Sequence, residues 1–551
     1  MTVQIGSEGF TLPVSDTEPC TLSQIFDLES TSSIKAVVAG QYGLAEGDYV
    51  LVQSGESDPS TIKVDEVELD ELSGTTSVTE LDEFRGSGAG RTTVDANGTP
   101  TSISLKDNDV TRELVSLERA EVSVDIDFKI AFRSNNFYGE VIIEPGYKAV
   151  FDPSWTLTIQ DSRTAEFLRM TDGHTAVFTK EMPVSVASAL IGRLHLEEVD
   201  FSKTSGQGLV APGRFSLECD VNTSGQVSIG ADQLAAGQTA LVELVTTTTP
   251  NNAKILAVTG IVDPKIDIEP TGIEINDIPD CLSEEGNVLD IENPRIAFTV
   301  YNSSPVDINL NATLSAVDRN GVSRQTMIGD ANGTAPIVIR GGRTTEFVLS
   351  RRPLQTAGAE NIVVEDLGEL ISTIPDRFDF DNIVAKALPE VVTMQLGMDY
   401  TYDCDYEAVV PLAFGADLRL LYKKDDCGWN EDLYKYNFNQ VQVTVDVVST
   451  MPMDLAPSVT ALDAAGNEID DISAVIEGSV APGTIEQPAT SPLKIVLSST
   501  AENLGRLDGI RMEFEGTTDA AHVGKNLNKA QSLEFNNIRI KIIGGVTVDL
   551  N

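Results

Sequence analysis

The segment "VSVDIDFKIAF" (122–132) alternates with a period of two. Val122, Val124, Ile126, Phe128, Ile130 and Phe132 fall on one side, and Ser123, Asp125, Asp127 and Lys129 on the other. Only an extended chain puts every second side chain on one face, so this is a strand with one buried and one wet face. Similar short runs recur at 49–53, 296–301, 441–447 and 538–543, separated by Gly, Asn, Asp and Pro. The expected fold class is mainly β with a few short helices (α+β), built as a multi-domain chain of repeated sheet modules. Each module carries one short helix, in a sandwich-like or a tubular lipid-binding-like arrangement.

Four stretches have helical spacing. Val110, Leu114 and Leu117 form one stripe, with Asp107 or Asp109 as N-cap. Val364, Leu367, Ile371 and Ile374 form a second, stopped by Pro375. Val523, Leu527 and Ala530 form a third, and the run after Pro183 is a fourth.

Phrases repeat within the chain. "FTVYNSSPVDINLNATLSAVDRNG" (298–321) aligns with "VTVDVVSTMPMDLAPSVTALDAAG" (443–466) across a short gap. "FDFDNIVAK" and "LEFNNIRIK" then place Phe380 with Phe535 and Ile383 with Ile538. "GYKAVFDP" (146–153) echoes "DYEAVVPL" (405–412), a sign that both halves descend from one unit. With 551 residues, several cores are needed. The expected division is 1–98, a β-rich segment; 99–265, a β-rich domain; 266–390, module copy one; 391–435, a connecting hairpin; and 436–551, copy two.

Charge narrows the partners. Against 38 Lys and Arg stand 85 Asp and Glu, a net charge of −47. Such a surface repels polyphosphates and anionic bilayers, so no nucleic-acid partner is expected, and self-repulsion favours a monomer. No apolar run reaches the ~20 residues of a membrane helix. Met1 stands directly before a strand-like segment, as it would after removal of a leader.

The chemistry-bearing motifs are missing. There is no G-x-S-x-G, no GxxxxGK[ST], no HExxH and no CxxC, so no catalytic residue, cofactor site or metal site is assigned, and the chain is expected not to be an enzyme. His174, His195 and His522 are far apart. Asp376, Asp379 and Asp381 are the best Ca2+ candidates, but they lack the glycine and terminal glutamate of an EF-hand loop, so Ca2+ has no motif behind it. Five sequons, at Asn97, Asn222, Asn302, Asn311 and Asn332, matter only in a eukaryotic secretory host.

One stretch concentrates candidates: "YDCDYEAVVPLAFGADLRLLYKKDDCGWNEDLY" (402–434). Reading it as a hairpin about 414–417 places Cys404 opposite Cys427 and Glu407 opposite Lys424. In an oxidising compartment that pair could form a cross-strand disulfide. Trp429, Tyr434 and Tyr436 are candidates for a ligand platform, against the alternative that Trp429 packs over a sheet edge.

The opening "GFTLPVSDTEPCTLSQIFDLES" followed by "GDYVLVQSG" resembles the mature N-termini of large surface lipoproteins from gut Bacteroidales. "IPDCLSEEGNVLDIENPRIAFTVYNSS" and "MPMDLAPSVTALDAAGNEI" resemble the same group. The resemblance covers about a third of the chain in patches, carries no catalytic motif and assigns no functional residue. It implies export, a lipidated cysteine removed with the leader, and a place at the cell surface or in the periplasm. The expected function is a non-enzymatic exported protein with a binding or scaffold role. The alternatives are a lipid-binding protein with an apolar groove between sheet and helix, and a carbohydrate-binding or adhesin component of a glycan-uptake system.

Overall fold

The computed structural model describes residues 2–5, 10–13, 16–26, 28, 33–266, 268, 271–275, 278–279, 282, 284–317, 321–330, 336–356, 358–372, 375, 377–429, 436–437, 439–499, 504, 506–543 and 546–549. It is mainly β, with three short α-helices among these residues.

The chain opens with β1 (Thr2–Ile5) and β2 (Phe10–Pro13), and β3 (Tyr49–Glu56) follows after two short strands. The first sandwich is built on β4 (Thr101–Asp107), β5 (Arg119–Arg133), β6 (Lys148–Val150), β7 (Leu190–Asp200), β8 (Arg214–Ile229) and β9 (Glu243–Ile261). The second uses β10 (Thr271–Glu274), β11 (Arg295–Asn302), β12 (Ile308–Val317), β13 (Arg343–Ser350), β14 (Arg377–Ala387) and, beyond β15 (Val391–Gln395), β16 (Tyr400–Pro411). The third uses β17 (Leu420–Cys427), β18 (Gln440–Ser449), β19 (Asp454–Leu462), β20 (Ala489–Ser499), β21 (Gly509–Thr517) and β22 (Ser532–Ile543), and β23 (Val546–Asp549) follows it. Shorter strands fill the edges.

The three sandwiches share one wiring. Their facing sheets run β7-β5-β9 against β6-β8-β4, β13-β11-β16 against β12-β14-β10, and β20-β18-β22 against β19-β21-β17. In each, the chain crosses from one sheet to the other at every step. The interior forms where the two faces meet. In the second sandwich Phe298 of β11 stacks on Phe347 of β13 at 4.9 Å and meets Phe380 of β14 edge-on at 5.2 Å. The alternation read in 122–132 is the inner face of β5: Val122, Val124, Ile126, Ile130 and Phe132 are buried, and Phe128 partly so.

The internal repeat is therefore threefold: the phrases at 298–321 and 443–466 fall in equivalent places, β11–β12 and β18–β19, whereas the later pair does not. "FDFDNIVAK" lies in β14 and "LEFNNIRIK" in β22, yet by wiring β14 corresponds to β21, and β22 to β16. What these phrases share is a bulge. Asn382 (φ 49°) and Asn537 (φ 53°) are left-handed, as is Asn252 (φ 51°) in β9. At each one the register shifts against the neighbouring strand. Each asparagine donates its amide across to that strand: Asn252 to Asp125 at 3.4 Å, Asn382 to Thr313 at 3.4 Å and Asn537 to Asp446 at 2.8 Å. Asparagine tolerates the left-handed region better than most residues and can hydrogen-bond locally there.

Two expected segments do not form units. Residues 391–435 are no connecting hairpin: β15 pairs with β9 of the first sandwich, β16 lies in the second, and β17 pairs with β21 of the third. Residues 1–98 are shared in the same way, with β2 on β22, β3 on β16 and Thr92–Asn97 on β8. The chain passes from the third sandwich through the second to the first and back again.

Most helical stripes are not helices. Val110 and Leu114 are buried, but Val110 N donates to Gly213 O and Leu114 sits in a bridge opposite Val262, held by Val115 N to Ile261 O and Asp263 N to Glu113 O, so 107–117 is a turn plugging the first sandwich. The run after Pro183 forms Met182–Ser185 and β7, in keeping with its valines. Residues 518–531 are turns, bonded within themselves at 519–525 and 528–531 and to other segments through Gly524, Leu527 and Lys529. Of 364–374, only Leu367–Leu370 is helical; Ile374 lies outside the described residues. Leu22–Phe26 is helical without a stripe, and Ser162–Ala165 is started by Asp161 accepting from Thr164 N.

Candidate functional site

Equivalent connections in the three sandwiches can be compared directly. The turn after the second strand is 134–139 in the first, 303–307 in the second and 450–453 in the third. In the second, Ser304 and Val306 are buried; in the third, Met451 and Met453 are buried. In the first, "SNNFYG" leaves Asn135, Asn136 and Tyr138 exposed and buries only Phe137, whose ring packs 6.3 Å from Phe132.

The connections before the last strand differ in the same sense. In the second sandwich this segment is β15, which pairs with β9 of the first. In the third it is 518–531, which docks on the second. Tyr49 N donates to Leu527 O at 2.8 Å, Leu527 N to Leu412 O at 2.8 Å, and Gly524 N to Phe414 O at 2.9 Å. Asp48, only 5% exposed, accepts from Asn526 and Asn528 at 2.9 Å each. In the first sandwich the equivalent segment, 230–242, is bonded to its own sandwich, at Gly86 and Leu81.

Between 134–139 and 230–242 lies an open polar cleft with two basins. One, about 650 Å³, is lined by Glu80, Leu81, Arg133, Asn135 and Glu243 among others. The other, about 420 Å³, is lined by Tyr138, Gly139, Asp232, Gln233 and Gln238 among others. Asn136 borders both. These volumes are of ligand-pocket scale.

The walls are held by side-chain to backbone bonds. Asn136 Oδ1 accepts from Leu241 N at 3.0 Å and its amide donates to Thr239 O at 3.3 Å. Ser134 Oγ donates to Leu241 O at 2.5 Å and accepts from Phe137 N at 3.1 Å. Gln233 Oε1 accepts from Glu140 N at 3.3 Å, and Gln238 Oε1 from Ala235 N at 3.2 Å, which leaves both NH2 groups as donors. Arg133 is paired with Glu243. A Cβ at Gly139 would come within 2.3 Å of Gln233 Oε1 and 2.6 Å of the Phe137 ring, so a larger residue there would displace these side chains. Tyr138 is 78% exposed. A rigid phenol among Ser, Asn and Gly is the composition of adaptable binding loops, and loops at one end of a sandwich are a usual place for them.

The residues singled out from sequence lie elsewhere. Cys404 faces Val300 in the second sandwich, and Cys427 faces Gly509 in the third; both are free thiols and the register that would pair them does not form. The reason is that β16 and β17, which flank the 414–417 turn, belong to different sandwiches. Glu407 lies opposite Ala297 and Lys424 opposite Met512. Burial, then Asp405 and Asp403, push the Cys404 thiol up to about 12. Cys427 is exposed, and its thiol is raised by local desolvation and then by Asp425, Asp508 and Asp426. Trp429 is half-buried against the third sandwich's interior, and its backbone N donates to Asp508 O at 2.7 Å. Tyr434 lies outside the described residues; Tyr436 lies in the short strand Tyr436–Asn437 beside β23, its side chain outside them.

Each histidine has its own aspartate: His174 with Asp172, His195 with Asp125, His522 with Asp519. Among the described residues no group of three His, Cys, Asp or Glu could hold a metal ion. Asp379 is bound by Arg377 and Asp381 by Ser315, while Asp376 lies outside the described residues. The apolar interiors of the first and second sandwiches hold cavities of about 30 and 60 Å³, too small for an acyl chain. Among the described residues no helix is long and apolar enough to cross a membrane.

No family model matches the chain, and no curated protein sequence matches it. Among solved structures, a presumed secreted protein from Parabacteroides distasonis resembles it at 13% identity and a TM-score of 0.38, over 52% of this chain and 89% of that one. A likeness this remote carries no argument about fold or function.

Proposed function

We propose that this is an exported, non-enzymatic binding protein of the cell surface or periplasm. The second and third sandwiches support the first, and the polar cleft at the end of the first takes a hydrophilic ligand. One observation carries the reading. Of three equivalent connections before the last strand, those of the second and third sandwiches are used up in the junctions between sandwiches. The equivalent one in the first borders an open cleft. Export rests on the resemblance of the N-terminal phrases to surface lipoproteins.

The experiment replaces residues 134–139 with the sequence of 303–307 and screens hydrophilic ligands by thermal shift. Ligands that raise the wild-type Tm are expected to leave the variant at its own unliganded Tm, which the lost Phe137 packing and the lost Ser134 and Asn136 bonds lower while the melt stays cooperative. Ligand shifts that survive the replacement would refute the cleft as the binding site. In cells of the source organism, a protein that stays in the cytoplasmic fraction would refute export.

A further inference from the structure

We infer that the cleft binds a neutral, hydroxyl-rich chain, an oligosaccharide in chemical class, laid across Asn136 from one basin to the other. This rests on the reading of the cleft as the ligand site.

Shape comes first. Two open basins of about 650 and 420 Å³ share the Asn136 wall, which suits a ligand of linked units more than one compact molecule. Hydrogen bonding comes second. The amide nitrogens of Gln233 and Gln238 are free to donate, while Glu80 and Asp232 supply acceptors at the rims. Hydroxyls, which donate and accept at adjacent positions, match such a mixed lining. A peptide added as a strand would need unpaired backbone along the wall. Here Leu241 N and O and Thr239 O are bonded to Asn136 and Ser134.

Charge comes third. Arg133 is taken by Glu243, so Glu80 and Asp232 leave the lining acidic in a chain of net charge −47. An anionic glycan would be repelled, and a neutral one brings no charge to desolvate. Last, Tyr138 offers an exposed aromatic face with a polar tip, suited to the apolar C–H face of a sugar ring.

The test uses the full chain on an array of neutral oligosaccharides, acidic oligosaccharides and peptides, followed by calorimetry with the best neutral probe. Neutral oligosaccharides are expected to bind, Tyr138→Ala to weaken them about tenfold, the equivalent of one lost stacking contact, and Tyr138→Trp to retain them. Tyr301→Ala, on the second sandwich, is expected to leave binding unchanged. Peptides or acidic glycans binding instead, with the same dependence on Tyr138, would overturn the oligosaccharide while keeping the cleft. Neutral glycans binding with no dependence on Tyr138 or on the 134–139 replacement would overturn both. Binding of no class would also overturn the inference.

Discussion

Asp48 is the sharpest place to test how the sandwiches are joined. Its carboxylate sits at the second sandwich's junction with the third and accepts from Ala45 N at 3.0 Å and from Asn526 and Asn528 at 2.9 Å each. Hydrogen bonds to a charged group contribute about 1.5–3 kcal/mol each, so three would sum to roughly 4–9 kcal/mol if nothing compensated. Compensation exists: Asn528 keeps the Glu46 carbonyl at 2.9 Å, and water can fill the space left by the carboxylate. Asp48→Ala leaves the Ala45 N–H and the Asn526 amide without this acceptor, at about 1–3 kcal/mol per orphaned donor, and we expect a loss of about 4 kcal/mol. At an m-value of about 2 kcal/mol/M, the loss lowers a urea midpoint by about 2 M. The two tryptophans make this readable, since Trp155 is buried in the first sandwich and Trp429 packs in the third. In a Trp155→Phe background, fluorescence follows the third sandwich; in a Trp429→Phe background, the first. Asp48→Ala should lower the midpoint in the former far more than in the latter. A shift below about 0.5 kcal/mol in the Trp155→Phe background, the size of an ordinary surface change, would refute the junction as described.

Two further outcomes follow from local geometry. In native thiol titration, Cys427→Ser removes a reacting thiol, whereas Cys219→Ser and Cys404→Ser leave the fast count unchanged, because burial pushes both thiols up to about 12. The Cys427 thiol is raised as well, so its rate climbs with pH into the alkaline range, and an unreduced wild type lacking that thiol would contradict the open pair. Asn537→Ala, which keeps φ 53° but lacks the local hydrogen bonding that lets asparagine tolerate it, and which removes the bond to Asp446, should cost about 1–2 kcal/mol in chemical denaturation. Asn537→Gly should cost less, because glycine adopts this backbone freely; equal losses would contradict the left-handed bulge.

The sequence made the sheets legible and the connections obscure. Period-two alternation in 122–132 identifies β5 and its inner face, because burial on one side of a pleated strand leaves that trace. The helical stripe of Val110 and Leu114 arises from another cause, two plugs on one turn pointing into the same interior. The 402–434 hairpin fails because turn symmetry specifies register only when both flanking strands share a sheet, and β16 and β17 do not. The 134–139 loop is hardest to see. "SNNFYG" reads as an ordinary turn, and it gains meaning only when set beside the buried 303–307 and 450–453 connections, which requires the threefold wiring.

The pairing of β2 with β22 joins Phe10 to Ile542. During synthesis at roughly 5–20 residues per second, about half a minute to two minutes separates these two residues. The first sandwich, whose six main strands are contiguous in sequence, can be complete long before then. β1 and β2 emerge early and find their partners last, so for that interval the chain carries unpaired strands on the N-terminal side of the finished sandwich. A holding chaperone that grips β2 would therefore keep the third sandwich open while the first is already formed. Order of emergence, rather than relative stability, then decides which part of the molecule is finished first.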